Sequence, residues 1–227
     1  MMPYFIFNNI LSTNYLTVEK LPPIIKAAKD IQKIEITGRD GFLTNDLGSY
    51  KSIIKPVECW VRNLENIDLI CSWLSGSANV NFSNEPDRVY KATIINQIDF
   101  SIVVREYHRF IIQFECQPHK YSLDSVSTIA LTTPQSIFNP GSANSNPIVI
   151  VYGTGSIDLV VNGNVINLTN VSGFVIIDSE LVDSYKGTLL KNNDMRGEFP
   201  ELVPGNNIIS WTGTVSKVEI TPNWRWV

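Results

Sequence analysis

Apolar and polar residues alternate along most of this chain with a period of two, the spacing that sends successive side chains to opposite faces of a strand. Phe110, Ile112, Phe114 and Cys116 alternate with Arg109, Ile111, Gln113 and Glu115, so one face is wholly apolar and the other mostly polar. The segment from Tyr50 to Asn63, with Ile53, Ile54, Val57, Cys59, Trp60 and Val61, reads as the best strand of the first half. Shorter strands are predicted from Tyr4 to Phe7 and from Tyr15 to Val18. Ile31, Ile34 and Ile36 lead another into a tight turn from Thr37 to Gly41, where both glycines can take positive φ. One stretch has a helical period instead: from Glu65 to Leu74, residues Ile67, Ile70, Cys71 and Leu74 form a stripe, with Asn63 or Asn66 as cap and Gly76 as the stop. Such a helix should pack on a sheet, which makes this half α+β, though mainly β. The run from Arg88 to Val104 holds two apolar segments on either side of Asn96-Gln97 and predicts a long hairpin.

From Ile148 onward the pattern is almost purely β. If Asn162-Gly163 forms a two-residue hairpin loop, Val160 faces Val165, Leu159 faces Ile166 and Ile157 faces Leu168. Ile157, Leu159, Ile166 and Leu168 then share one apolar surface. Further strands at Phe174 to Ile177, Tyr185 to Leu190, Ile208 to Thr212 and Val215 to Thr221, with turns between them, predict a β-sandwich of about 80 residues. Between the halves, the stretch Thr132 to Pro147 holds Pro134, Pro140, Gly141 and Pro147 among serines and asparagines, and no regular element is expected there. The expected organisation is a mainly β first domain with one helix at 1–133, a linker at 134–146 and a β-sandwich at 147–227.

Composition narrows the function classes. With 44% hydrophobic and 18% charged residues in 227, the chain can bury a substantial core. Its net charge of −4 and lack of a basic patch argue against sequence-independent nucleic-acid binding. The N-terminus lacks the basic flank and long apolar core of a signal peptide and no run reaches transmembrane length, so folding in a cytoplasm is expected. Cys59, Cys71 and Cys116 are odd in number and lie in apolar-periodic segments, which reads as three buried structural thiols.

Candidate chemistry is sparse. His108 and His119 flank one strand, and no Gly-x-Ser-x-Gly elbow offers them a nucleophile. Gly153-Thr-Gly155 imitates part of a dinucleotide fingerprint, but a strand follows it where a phosphate-binding helix would be needed. Asp178, Glu180 and Asp183 form the densest acidic cluster without the spacing of a calcium loop. Glu198 and Glu201 would suit a glycosidase pair only at a separation that sequence does not define. Trp211, Trp224 and Trp226 read as sandwich core or interface ahead of a sugar platform. No catalytic residue, cofactor site or metal site is therefore expected.

The order of turn motifs resembles the distal tail proteins (Dit) of siphoviruses. In the first half the matching residues are Thr37-Gly-Arg-Asp-Gly41, Ser72-Trp-Leu-Ser-Gly76, Glu85-Pro-Asp-Arg-Val-Tyr-Lys-Ala92 and Ile112-Gln-Phe-Glu-Cys-Gln-Pro118. In the second half they are Asn146-Pro-Ile-Val-Ile150, Gly153-Thr-Gly155, Ile177-Asp-Ser-Glu180, Pro204-Gly-Asn-Asn-Ile-Ile-Ser-Trp211 and Pro222-Asn-Trp-Arg225. The resemblance implies a homohexameric ring at the phage tail tip. Its N-terminal domain would be barrel-like, with one helix and a projecting hairpin, and its C-terminal domain a galectin-like sandwich. It also implies a virion location after assembly in host cytoplasm. The implied partners are the tail tube protein, a tail-associated tip protein and, in some phages, a receptor-binding protein. DNA would pass through the channel without specific binding, and no membrane is involved. The strong apolar runs from Arg88 to Val104 need partners for their edges. They make Arg88, Tyr90, Lys91, Ile94, Ile95 and Arg105 the expected subunit interface. The rival readings are a carbohydrate-binding module, resting on the tryptophans, and a glycoside-active enzyme using Glu198. A galectin-like sugar site would use a histidine, which the second domain lacks, so no binding of simple galactosides is expected.

Overall fold

The structure is a computed structural model that describes residues 2–104, 106–123 and 127–227. Two compact units divide the chain, one at residues 1–120 with Val227 and the other at 121–226. Each has its own hydrophobic core.

The first unit follows the alternation read above. Its strands are β1 (Phe5–Phe7), β2 (Ile10–Leu11), β3 (Thr17–Lys20), β4 (Lys29–Glu35), β5 (Phe42–Tyr50) and β6 (Ile53–Val61). The helix α1 (Ile67–Trp73) precedes β7 (Ser77–Phe82), β8 (Arg88–Ile94), β9 (Ser101–Val104) and β10 (Tyr107–Ser122). The main sheet runs β2-β1-β7-β8-β10-β6-β3, with β9 also on β10. β10 and β6 pair antiparallel from His108 opposite Val61 to Cys116 opposite Ile53, which brings Phe110, Ile112, Phe114 and Cys116 together with Val57, Cys59 and Val61 in one core. An aromatic group fills it: Phe5 stacks on Trp73 at 5.7 Å, and Phe114 meets Phe5 and Phe7 at 5.4 Å and Phe82 at 5.8 Å. Trp73 also fastens α1 to the sheet, its Nε1 donating to the Phe7 carbonyl at 3.0 Å.

Three expectations change here. The helix is shorter than its apolar pattern, and its buried face is Ile70, Trp73 and Leu74, which leaves Cys71 exposed. Cys59 and Cys116 are buried as expected, and burial pushes the Cys116 thiol up to about 12. Next, β8 and β9 do not pair with each other as a hairpin; β8 lies between β7 and β10, and β9 pairs with β10. The reason lies at Asn96, whose Oδ1 accepts from Gln113 N at 2.7 Å and whose Nδ2 donates to the Ile111 carbonyl at 2.8 Å. The side chain stands in for backbone and ties the expected turn to β10. Lastly, His108 and His119 lie within β10 rather than flanking it.

The second unit contains β11 (Ile129–Leu131), β12 (Gln135–Asn139), β13 (Ile148–Val161), β14 (Asn164–Asp178), β15 (Asp183–Lys186), β16 (Leu189–Leu190), β17 (Met195–Arg196) and β18 (Gly205–Thr221). The sheet order is β11-β18-β13-β14-β15-β16, with β12 on β18 and β17 on β14. The derived hairpin register is the observed one: Val160 opposite Val165, Leu159 opposite Ile166 and Ile157 opposite Leu168. Asn162 and Gly163 both take positive φ, 52° and 87°, as the two-residue loop requires. The strands are longer than expected because β13 and β18 absorb their bends as bulges near Gly153–Ile157 and continue. Gly153 permits this: a Cβ there would lie 2.3 Å from the Thr214 carbonyl oxygen.

The expected linker is the largest correction. Residues 135–139 form β12, which pairs with β18 from Gln135 opposite Ile209 to Asn139 opposite Gly205. The prolines flank this strand and do not interrupt it, and Ile137 is buried in the second core. Asn139, also buried, donates to the Leu202 carbonyl at 2.9 Å and accepts from Gly141 N at 2.7 Å, so side-chain bonding holds the Pro/Gly stretch in place. The division between compact units falls at the end of β10 instead.

Candidate interaction surfaces

A hairpin that pairs only with itself must satisfy its apolar residues elsewhere or leave them in water. The β4–β5 hairpin is such an element, a separate two-stranded sheet. Ile34 opposes Leu43, Glu35 opposes Phe42, Lys33 opposes Thr44 and Ile31 opposes Asp46. Its turn is closed by Arg39 N donating to the Ile36 carbonyl, with Gly38 and Gly41 at φ near 84° and 81°. Opposed residues share a face, so Ile34 and Leu43 lie on one side while Phe42, with Lys33 Nζ 4.6 Å from its ring, lies on the other. Ile31, Ile34, Ile36, Phe42, Leu43 and Leu47 are all exposed. The sequence showed the isoleucines and the turn; it could not show that the described residues leave them exposed.

The expected interface residues divide. Arg88, Lys91 and Ile94 lie half-buried on β8, and Ile95 is exposed just beyond it. Arg105 lies outside the described residues. Tyr90 is corrected: it is core, not surface, because it sits on the inward face of β8 against Phe82 at 6.0 Å. Its hydroxyl donates to Glu85 Oε2 at 2.6 Å, and burial with that bond pushes its pKa up.

That carboxylate is the centre of a polar cluster that sequence reasoning missed. Lys55 Nζ is 3.4 Å from Glu85 Oε2, Lys120 Nζ is 2.8 Å from Oε1, and Lys55 lies over the Tyr90 ring at 4.5 Å. The signal was available: in Ile53-x-Lys55-x-Val57-x-Cys59-x-Val61 the lysine occupies an inward position, which an unpaired charge would not hold. Burial alone would push the Glu85 pKa up, but hydrogen bonds from Lys120 and Tyr90 and the charge of Lys55 outweigh it and hold it below the usual range. One carboxylate shared by two lysines and a tyrosine hydroxyl ties β6, β8 and β10 together, and the cluster reads as structural.

The remaining candidates are dispersed. Asp178 accepts from the Glu180 and Leu181 amides at 3.0 Å, closing a turn, and no cluster with metal-ligand composition occurs among the described residues. Glu201 accepts from Asn144 Nδ2 at 3.0 Å. Trp211 and Trp224 pack partly buried against the second core. Gly153-Thr-Gly155 runs inside β13. Among the described residues no helix is long and apolar enough to cross a membrane.

Two mainly β units, one bearing the short helix α1 and a self-paired hairpin and the other a curled sheet, are the fold of a phage distal tail protein. One solved structure with this fold is SPP1 Dit (gp 19.1), described as a paradigm of the hub adsorption apparatus in phages that infect Gram-positive bacteria. It matches with a TM-score of 0.75 over 97% of this chain and 98% of that one, at 17% identity. The likeness establishes the fold expected from the turn motifs. No family model and no curated protein matches the sequence.

Proposed function

We propose that this protein is a structural component of a phage virion, a distal tail hub whose copies close into a ring, of six subunits, between the tail tube and the tail-tip adsorption apparatus. The observation that carries the reading is the β4–β5 hairpin. A lone two-stranded hairpin is marginally stable in water, and this one leaves apolar side chains exposed on both faces. Docking it on a neighbouring copy buries them, and a heterologous contact repeated about an axis closes a ring. The half-buried polar and apolar residues at Arg88, Lys91, Ile94 and Ile95 supply a second contact in the same unit. Full-length likeness to a hub protein supports the same reading, and on this view the protein binds tail partners and catalyses nothing.

Light scattering on a size-exclusion column, with negative-stain imaging of the same fraction, tests the proposal. The expected result is a mass of about six subunits and ring-shaped particles with a central channel. A strictly monomeric protein at high concentration, with no rings in the images, would overturn it.

A further inference from the structure

The second unit carries a cleft that the hub reading does not use. It lies between β14, from Leu168 to Val175, and the segment from Ser184 to Asp194, and has a volume of about 240 Å³. That exceeds the roughly 150 Å³ cavity that accepts benzene and falls short of the ~300–1,000 Å³ of drug-sized pockets. The space suits a ligand of one ring.

Its lining states the chemistry of that ring. Leu168, Val171 and Val175 are buried and provide an apolar floor, with Phe174 beside them. Ser184 also lines the cleft; the residue is fully buried, yet its Oγ has no hydrogen-bond partner. A buried hydroxyl without a partner is costly, and a ligand hydroxyl would satisfy it. On the rim, Asp194 is held by Lys191 Nζ at 2.8 Å and by Asn170 Nδ2 at 3.0 Å. Those bonds use only part of what an ammonium and an amide can offer, so donors and acceptors remain for a polyhydroxylated molecule. Lys186, whose Nζ donates to the Ser172 carbonyl, lies 5.4 Å from the Phe174 ring. With Lys186 and Lys191 against Asp194, the lining carries one excess positive charge.

We propose that this cleft binds a single acidic pyranose, a hexuronate unit of a glycan, with its apolar ring face on Phe174 and the floor, a hydroxyl on Ser184 Oγ, and its carboxylate towards Lys186 and Lys191. An aromatic side chain of equal size would cover the floor, but would leave Ser184 unpaired and the excess positive charge of the lining without a counter-charge. The site lies wholly within the second unit and stands or falls apart from the ring.

Saturation-transfer NMR on the full chain, which tolerates a large assembly, provides the test, with sodium D-glucuronate, D-glucose and benzyl alcohol as probes. Glucuronate should show transfer and bind about tenfold more tightly than glucose. Ser184→Ala should weaken both sugars, and Lys186→Gln should remove the preference for the acid, each at unchanged melting temperature. Three results would overturn the proposal: no transfer to glucuronate at tens of millimolar (on the order of the weakest specific affinities), glucuronate binding indifferent to both substitutions, or benzyl alcohol binding as well as glucuronate.

Discussion

Lys55 Nζ lies 3.4 Å from Glu85 Oε2 inside the first unit, with the two side chains 1% and 6% exposed. The partners are not equally served. Glu85 also receives Lys120 at 2.8 Å and Tyr90 at 2.6 Å, whereas Lys55 has, besides the carboxylate, the Pro23 carbonyl at 3.3 Å and the faces of the Tyr90 and Phe82 rings at 4.5 and 5.5 Å. Accordingly burial pushes the Lys55 pKa down, and Glu85 does not fully restore it, while the Glu85 carboxyl is held low.

This asymmetry sets two substitutions apart. Glu85→Ala leaves Lys55 as a buried charge without a counter-ion and should cost about 3–5 kcal/mol. Lys55→Met keeps Glu85 bonded to Lys120 and Tyr90 and replaces a poorly solvated ammonium by an apolar chain of similar length. Its cost should be within about 1.5 kcal/mol, or of opposite sign. Denaturant unfolding of both variants measures the difference; equal losses would remove the asymmetry.

The same carboxylate predicts a pH dependence. Its folded pKa is depressed below 4.5, so the folded state binds fewer protons than the unfolded chain in the acid range. The stability it contributes is present above that ordinary value and is lost as pH falls through the depressed one. Melting temperature measured from pH 7 to pH 3 should fall more steeply for the native protein than for Glu85→Gln. Parallel curves would remove Glu85 from the account of acid unfolding.

Gly153 is predicted to be irreplaceable for a steric reason, not a conformational one. A Cβ at this position would sit 2.3 Å from the Thr214 carbonyl oxygen and 2.7 Å from Ile157 Cδ1. The carbonyl belongs to β18, which cannot yield without unpairing from β13. Gly153→Ala should destabilise the second unit by about 1–3 kcal/mol, whereas Gly155→Ala meets open space and suffers only from its positive φ. Thermal unfolding of the two variants should rank them in that order.

The thiols give a simple accessibility test. Cys59 and Cys116 are buried with their pKa values raised by burial, whereas Cys71 is exposed on α1. Thiolate is the reacting form, so a thiol reagent at neutral pH should modify Cys71 alone in the folded protein and all the cysteines after denaturation. Mass spectrometry of the labelled peptides reads this directly.

How far the sequence could be read depends on whether a contact is written in local pattern. The β13–β14 register was legible because Asn162-Gly163 and the alternation around it specify a turn and a face together. The aromatic core was legible as inward residues of β10 and β6. The role of Asn96 was not, because one side chain replacing backbone in a neighbouring strand leaves no periodic trace. Nor was β12: a strand of five residues between prolines has the composition of a linker, and its pairing with β18 joins residues about 70 positions apart. The cleft beside Ser184 was equally hidden, since its lining joins β14 to the short strands β15 and β16 and to Lys191 and Asp194 just after them, a convergence that no local period records.

The subunit contacts of the proposed ring are expected in the first unit, and the boundary that would test this differs from the one composition suggests. Composition suggests a cut near Leu131, but β11 pairs with β18, so such a cut strips that strand from the second sheet and leaves it loose on the first fragment. Division at Lys120/Tyr121 keeps both compact units whole apart from the terminal Val227. Residues 1–120 hold the hairpin with Ile34, Ile36, Phe42 and Leu43 exposed, and also Arg88, Lys91, Ile94 and Ile95. Residues 121–227 have their own core and no comparable self-paired hairpin among the described residues. The first fragment should therefore oligomerise and the second should stay monomeric. Within the full chain, Leu43→Lys places a charge on the face that Ile34 shares, which costs nothing where that face is in water and several kcal/mol where it is buried against a neighbour. Light scattering should show the Leu43→Lys protein as smaller assemblies or monomer, with an unchanged far-ultraviolet spectrum. A ring that survives this substitution, or one formed by residues 121–227 alone, would place the subunit contacts away from the hairpin.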